Sequence, residues 1–242
     1  MQLILLGLLI CFVFIILKAN IRIKWGTFFK KGFKKLDNLF GIVCYCAKQG
    51  KGKTYCAVEF CEEQSKKHGY EILTNVKSYS NTLKNDKRNY KYFENLIEII
   101  NYVNSIDTND HKIIIFFDEI FTTLSKSGSL KKEFLSFLSQ LRKRKILLIT
   151  TAQEWSEINI TFRRYVRFQV VPNMFPLPIF KTAFIIKDIN DGDLIHWDND
   201  CQDFIAPTIE KSFSKANLDI INLYDTFETI SVSKSSLNAP YR

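Results

Sequence analysis

Glycine and proline are scarce, at 9 and 5 of 242 residues, which excludes a collagen-like repeat. A chain that is 46% hydrophobic and 14% aromatic is equally unlike a disordered tail. Its three histidines, His68, His111 and His196, are scattered, and its six cysteines form no C-x-x-C pair. Cys44 and Cys46 stand two apart, on one face of a strand. Neither a zinc site nor a small disulfide knot is therefore expected, and the cysteines read as reduced, buried thiols. No cationic stretch precedes the first apolar run and no small-residue cleavage site follows it, which excludes a secretory signal peptide. Acid is missing altogether between Lys18 and Leu36.

What is present is unevenly distributed. From Leu3 to Leu17 every position is apolar or Gly, and seven basic residues follow at Lys18, Arg22, Lys24, Lys30, Lys31, Lys34 and Lys35. They account for seven of the nine net positive charges and leave the rest of the chain at +2. A 17-residue helix is about 25 Å long against a hydrocarbon core of about 30 Å, so a span needs Ile21, Ile23 and Trp25 while Lys18 snorkels. The expectation is one N-terminal transmembrane helix over 1–24 and a basic juxtamembrane linker over 25–39. One-sided charge orients such a single-pass protein with its N-terminus out and its body cytoplasmic, the linker touching anionic membrane lipid. For a viral chain the membrane is the host inner membrane.

The body reads as alternating strands and helices. Phe40–Cys46 is a short apolar, β-prone run that stops at a Gly-rich loop; Thr54–Lys67 then has helical spacing and is closed by Gly69. Glu71–Val76 reads as a strand, Leu83–Tyr92 as a Lys/Asn-rich loop and Phe93–Val103 as an amphipathic helix. Lys112–Phe117 is apolar on both faces, as a central parallel strand must be. A helix over Leu130–Arg144, strands over Ile146–Thr151 and Tyr165–Val171, and a hairpin arm over Phe180–Lys187 follow. Short crossovers of this kind build an α/β fold, mainly a parallel sheet with flanking helices. The expected domain spans 40–210, with a C-terminal tail over 211–242 that frays around Ser231–Ser236.

Three strand ends carry chemistry. Ala47-Lys48-Gln49-Gly50-Lys51-Gly52-Lys53-Thr54 matches the phosphate-binding pattern G-x-x-x-x-G-K-[ST] except at Ala47, which can replace Gly if its φ is negative. Gly50 and Gly52 let backbone N–H groups approach a β-phosphate, Lys53 supplies a point charge and Thr54 a hydroxyl for Mg²⁺, with a helix N-terminus behind them. In Phe116-Phe117-Asp118-Glu119 a buried strand ends in two carboxylates that point differently. Asp118 suits Mg²⁺ and Glu119 suits a base for an attacking water. Leu147–Gln153 again ends an apolar strand in polar groups, and Gln153 or Thr151 stands where a γ-phosphate or water is in reach.

These residues, AKQGKGKT at 47–54, Leu73–Val76, FFDEIF at 116–121, the helix ending Gln140–Arg144, TTAQ at 150–153 and Ile158–Arg164, resemble FtsK/HerA-type P-loop ATPases, most of all the Zot-like assembly ATPases of filamentous phages. The resemblance covers residues 40–171 and is carried by the order of the DE pair, the L-x-x-x-R-K helix and the Gln-ended strand. It implies a P-loop NTPase fold, ATP and Mg²⁺ as cofactors, and a ring-forming homo-oligomer, often a hexamer. Its implied work is to hydrolyse ATP for virion assembly or extrusion, with viral DNA and coat or capsid proteins as partners. Small viral genome-packaging ATPases match a core of this length as well. A non-hydrolysing nucleotide-binding scaffold, or a MinD/ParA-like ATPase using Lys48, is a further alternative. An oligomer needs a positive group in trans, and Arg142 and Arg164 are the candidate arginine fingers. The Lys84–Lys91 loop, whose Lys84, Lys87, Arg88 and Lys91 are interleaved with Tyr90 and the following Tyr92, has the composition of a nucleic-acid contact.

Overall fold

The computed structural model describes residues 39–86, 88–106, 112–122, 124, 129–177, 182–200 and 202–225, together with residues 7, 8 and 10. The chain divides into two compact units, Met1–Lys34 and Lys35–Arg242. Among the described residues no helix is long and apolar enough to cross a membrane, which corrects the expectation of a single-pass, lipid-anchored protein with its N-terminus out and its body cytoplasmic. The weakness of that expectation is length, since 17 positions fall short of the roughly 20 that a span takes. Of the expected span 1–24 and linker 25–39, only residues 7, 8, 10 and 39 are described, and the tail beyond 225 lies outside the described residues.

The second unit is built on an eight-stranded sheet. Its strands are β1 (Gly41–Cys46), β2 (Glu71–Thr74), β3 (Tyr90–Tyr92), β4 (Ile113–Phe117), β5 (Ile146–Ala152), β6 (Val166–Leu177), β7 (Thr182–Asp191) and β10 (Thr208–Lys215). The spatial order is β10-β7-β6-β1-β5-β4-β2-β3. Pairing is parallel from β6 through to β3, and antiparallel where β7 joins β6 and β10 joins β7. A separate two-stranded ribbon pairs β8 (His196–Asp198) with β9 (Asp203–Ile205).

The helices are α1 (Lys53–His68), α2 (Lys77–Asn85), α3 (Leu96–Ser105), α4 (Lys132–Gln140) and the short α5 (Ile160–Arg163) and α6 (Leu218–Ile221). Strand alternation sorts them into layers. Ile42, Cys44, Cys46, Ile113, Ile115, Phe117 and Leu148 turn one way and form one core with Leu96, Ile99, Val103, Phe134, Leu138 and Phe162 from α3, α4 and α5. Phe116 turns the other way and meets Tyr79 of α2 edge-on, ring centroids 6.1 Å apart. Glu62 of α1 fastens α2 to the same face, accepting from Tyr79 Oη at 2.6 Å and from the Arg88 guanidinium at 2.6 Å. Those donors hold its carboxyl below the usual range even though burial pushes the other way.

Two segments differ from the sequence-based expectation. The polar stretch around Leu83–Tyr92 contains the end of α2 and the edge strand β3. Arg88 is engaged by Glu62, and Lys91 lies over the Tyr102 ring at 3.8 Å, so these two cations are used within the fold. The strand expected to stop at Val171 runs on to Leu177 through Pro172 and Pro176. This is possible because β1 pairs with β6 only as far as Val170. Beyond it β6 has β7 alone as a described partner, and a missing proline N–H costs nothing on a free edge. The expected boundary at 210 falls inside β10, after which Asn217 caps α6 through the N–H of Asp219.

Candidate functional site

Parallel strands deliver their C-terminal ends to one edge of the sheet. Cys46 of β1 is in register with Ala152 of β5, and Thr150 of β5 with Phe117 of β4. Ala47, Gln153 and Asp118, each following one of those strands, therefore stand side by side with the residues after β2. Residues 47–54, Asp118, Glu119 and Gln153 meet at this edge.

Ala47 extends the ladder by one step, its N–H donating to the Ala152 carbonyl at 3.2 Å. It is buried, and its φ is not among the positive ones, so the side chain meets the condition on which Ala can replace Gly. The left-handed turns fall later, at Gly50 (φ 76°) and Gly52 (φ 85°). At Gly50 a Cβ would meet nothing within 4 Å, whereas at Gly52 it would lie 2.9 Å from Cε of Met174, so β6 leans on the loop there. Lys48, Gln49, Gly50 and Lys51 are exposed. Gly52 caps α1, and Lys53, its first residue, is only 8% exposed. The loop thus presents backbone donors, a buried ammonium and a helix N-terminus to one place.

Asp118 is held from three sides. Its N–H donates to Asn75 Oδ1 at 2.8 Å and its carbonyl accepts from Asn75 Nδ2 at 3.2 Å, so the side chain after β2 clamps its backbone. Its carboxylate accepts from the Thr151 hydroxyl and lies 3.4 Å from Thr54 Oγ1, a long hydrogen bond. Burial pushes the Asp118 carboxyl up to about 6; the Glu119 carboxylate adds to this, while Thr151, Lys53 and Thr54 oppose it. A carboxylate that desolvated has much to gain from a cation.

Glu119 has φ 55°, a left-handed backbone that a glutamate rarely adopts. Two bonds impose it: its N–H donates to Thr151 Oγ1 at 2.8 Å, and its carbonyl accepts from Thr122 Oγ1 at 2.8 Å. The strain is held by its surroundings, at the end of the strand that carries Asp118. Gln153 is half-buried, one residue past the end of β5.

The two candidate arginines lie elsewhere. Arg142 packs its Cγ 3.3 Å from a Cβ placed on Gly41, at the start of β1 and so at the opposite edge of the sheet, and pairs with Asp193 at 2.9 Å. Arg164 follows α5 just before β6, whose Val166 is in register with Ile42, again at that opposite edge. Asn75 and Thr151 are the residues whose importance here is plainest from geometry. Both are polar groups at the ends of apolar strands, the same signal that marks Asp118. Among the described residues no three His, Cys, Asp or Glu side chains group to hold a metal. Thr54 and Asp118 with phosphate oxygens are instead the donor set that suits Mg²⁺, which takes one or two protein ligands and keeps water.

A parallel sheet with a glycine-turned, lysine-bearing loop at the head of a helix, and a carboxylate on the strand beyond the neighbour, defines a P-loop nucleotide-binding protein. The sequence matches the ATPase family associated with various cellular activities (AAA) over residues 43–174, and the chain belongs to that family. No curated protein matches the sequence. Among solved structures it is similar to the N-terminal domain of zonular occludens toxin from Neisseria meningitidis, at 14% identity and TM-score 0.47 over 77% of this chain and all of that one. It is similar also to B204, the DNA-packaging ATPase from Sulfolobus Turreted Icosahedral Virus, at 12% identity and TM-score 0.47 over 72% of this chain and 99% of that one. The flagellar accessory protein FlaH from Methanocaldococcus jannaschii is similar at 12% identity and TM-score 0.42, over 62% and 77% of the two chains.

Proposed function

We propose that the chain is a Mg²⁺-dependent ATPase that works as a homo-oligomer on viral DNA during virion assembly or extrusion. The observation that carries the hydrolytic part is the Thr151 hydroxyl, which binds the Asp118 carboxylate and the Glu119 N–H at once and so ties the side chain of one acid to the backbone of the other. Gly50, Gly52 and the first turn of α1 present N–H groups to the phosphates, and Lys53 places its ammonium among their oxygens. Thr54 and Asp118 would hold Mg²⁺, which would supply positive charge against the phosphates. Glu119 takes the proton of a water that adds to the γ-phosphorus as the bond to the β–γ bridging oxygen breaks, giving ADP and phosphate. Gln153 stands beside the loop to orient that water.

The DNA and virion roles rest on the order of motifs shared with Zot-like ATPases, and genome packaging is the alternative use of the same motor. Arg142 and Arg164, at the far edge of their own sheet, act as fingers only on a neighbouring copy. The test is phosphate release and nucleotide binding in wild type, Lys53→Ala and Glu119→Gln. Lys53→Ala is expected to lose binding, and Glu119→Gln to bind normally and stop turning over. Normal hydrolysis in both variants sinks the reading. Binding without Mg²⁺-dependent phosphate release in wild type leaves the non-hydrolysing scaffold. Stimulation of hydrolysis by DNA supports the motor.

A further inference from the structure

The crossover from β5 to β6 begins at Gln153 and ends with α5, and both of its ends are tied to one backbone carbonyl. Trp155, two residues after Gln153, donates its indole N–H to the Phe204 carbonyl of β9 at 3.0 Å. Arg163, the last residue of α5, places Nη1 2.9 Å from Asp203 Oδ1 and 3.4 Å from that same carbonyl. Its guanidinium also lies 5.8 Å from the centre of the Trp155 ring. Among the described residues β8 and β9 pair with no strand of the main sheet, and these side chains fasten the ribbon to the crossover. The root of the ribbon is fixed separately. The Asp191 N–H donates to the Pro207 carbonyl at 3.0 Å, and a Cβ on Gly192 would lie 1.9 Å from the Val166 carbonyl oxygen at the start of β6.

Gln153 therefore stands between two fixed points. Before it, the Ala152 carbonyl accepts the Ala47 N–H at 3.2 Å, the first step into the phosphate loop. After it, Trp155–Glu157 forms a single 3₁₀ turn, with the Glu157 N–H on the Glu154 carbonyl at 3.3 Å and the Ile158 N–H on the Trp155 carbonyl at 3.2 Å. Trp155 packs on the core that contains the fully buried Ile158 and Phe162. A cavity of about 450 Å³ between Trp155 and Gln169, Asn190 and Asp203 leaves the indole room to shift, so its hydrogen bond and the guanidinium decide its place. Arg163 is only 5% exposed, and its Nε is buried without a partner. Replacing a buried ion pair by apolar side chains is commonly neutral or stabilising, so stability alone does not account for a guanidinium here.

We propose that Trp155 and Arg163 are positioning residues for Gln153: by tying the turn after β5 to the Phe204 carbonyl, they hold Gln153 where it orients the attacking water. The inference rests on the ATPase reading above and adds two residues, with the ribbon they bind, that lie outside the phosphate loop and the strand ends. A misplacement of about 1 Å in a group that orients a reactant is enough to slow a reaction. The phosphate loop, which binds the nucleotide, keeps its own contacts, so the signature is a loss of turnover without a loss of affinity.

The test is Trp155→Phe, which removes the indole N–H and keeps a ring in place, made in wild type and in Gln153→Ala. Hydrolysis is followed as single-turnover phosphate release, which still reads a slowed variant, and affinity with a fluorescent ATP analogue. In the wild-type background the rate should fall about five-fold, with affinity changed by less than about two-fold. On Gln153→Ala the same substitution should cost nothing further, because the residue through which Trp155 acts has gone. Asp203→Asn, which leaves the indole intact and weakens the hold on Arg163, should give a smaller loss that disappears in the same background. Equal losses with and without the Gln153 side chain overturn the proposal, as does a loss of affinity equal to the loss of rate, or a Gln153→Ala protein as fast as wild type. If wild type releases no phosphate at all, it is the ATPase reading that has failed.

Discussion

Strands β1, β2, β4 and β5 are buried along their whole length, while β7 alternates buried and half-buried positions and β10 is mostly half-buried or exposed. In the parallel part helices cover both faces, so side chains along the strands are apolar and polar groups appear only where strands end. Asn75, Asp118, Glu119, Thr151 and Gln153 all stand at or just past such ends, and the chemistry collects on one edge. The antiparallel extension has a polar face to spend and spends it on fastening. Lys187 of β7 is bound to Glu59 of α1, Asn190 donates to Gln169 at 2.9 Å, and Met174 touches Gly52. The two halves therefore divide the labour, one gathering the polar strand ends and the other fastening the helix that carries the loop.

Two buried lysines make that division testable. Lys53→Ala should cost at least roughly 100-fold in nucleotide affinity, because a buried charge facing phosphates is lost, and should leave the melting temperature nearly unchanged. Lys187→Met should do the reverse. It strands Glu59 against α1, an effect of about 3 kcal/mol on stability, visible as a lower denaturation midpoint with affinity changed far less. If Lys187→Met abolished binding while the fold stayed intact, the division would be wrong.

Within the parallel half, Thr151→Val removes the donor to Asp118 and the acceptor for the Glu119 N–H together. Turnover should fall by about 30-fold, equivalent to roughly 2 kcal/mol, with nucleotide binding affected much less. Equal losses in binding and turnover would mean that Thr151 merely packs.

The same division governs what could be read from sequence. Runs such as Ile113–Phe117 are apolar on both faces because they are central, and their polar ends stand out, so the loop, the DE pair and the Gln-ended strand were legible as one edge of one sheet. Thr151 was legible as a polar strand end but not as the tie between two acids, since that depends on the register of β5 against β4. Met174 and Lys187 carry no local signal. Their roles come from contacts more than a hundred residues apart, between the extension and α1 or the glycine that caps it. The continuation of β6 through Pro172 and Pro176 was not legible, because proline is tolerated in a strand only where its N–H side is unpaired, and that depends on where β1 ends. The membrane expectation came from hydropathy and charge alone, with no packing partner to weigh against it.

The contact between the halves can be broken at one point. Gly52 has φ 85° and Met174 Cε 2.9 Å from where a Cβ would go, so Gly52→Ala carries both backbone strain and a clash, together about 2 kcal/mol. Met174→Ala removes only the clash. Adding it to Gly52→Ala should recover part of the stability and of the nucleotide affinity, leaving the strain of the left-handed turn. Full recovery would mean that the turn itself tolerates alanine, and no recovery that β6 does not bear on the loop.

The smallest effect concerns the cost of keeping Asp118 ready. Its carboxyl is raised to about 6 chiefly by burial, from an ordinary 3.8, so between those values the folded chain binds a proton that the unfolded chain does not. Stability from this group is therefore present at pH below 3.8 and lost as pH rises through about 6. Asp118→Asn should stabilise the nucleotide-free protein by about 1 kcal/mol at pH 7.5, and the gain should vanish towards pH 4. Affinity for Mg²⁺ should move the opposite way in wild type, rising as the carboxyl loses its proton through pH 6. Thermal midpoints across that range, with and without Mg²⁺-nucleotide, separate the two slopes. A carboxylate kept for structure would give a stability that falls on Asn substitution at every pH; one kept for a cation makes the empty site less stable and the filled site more so.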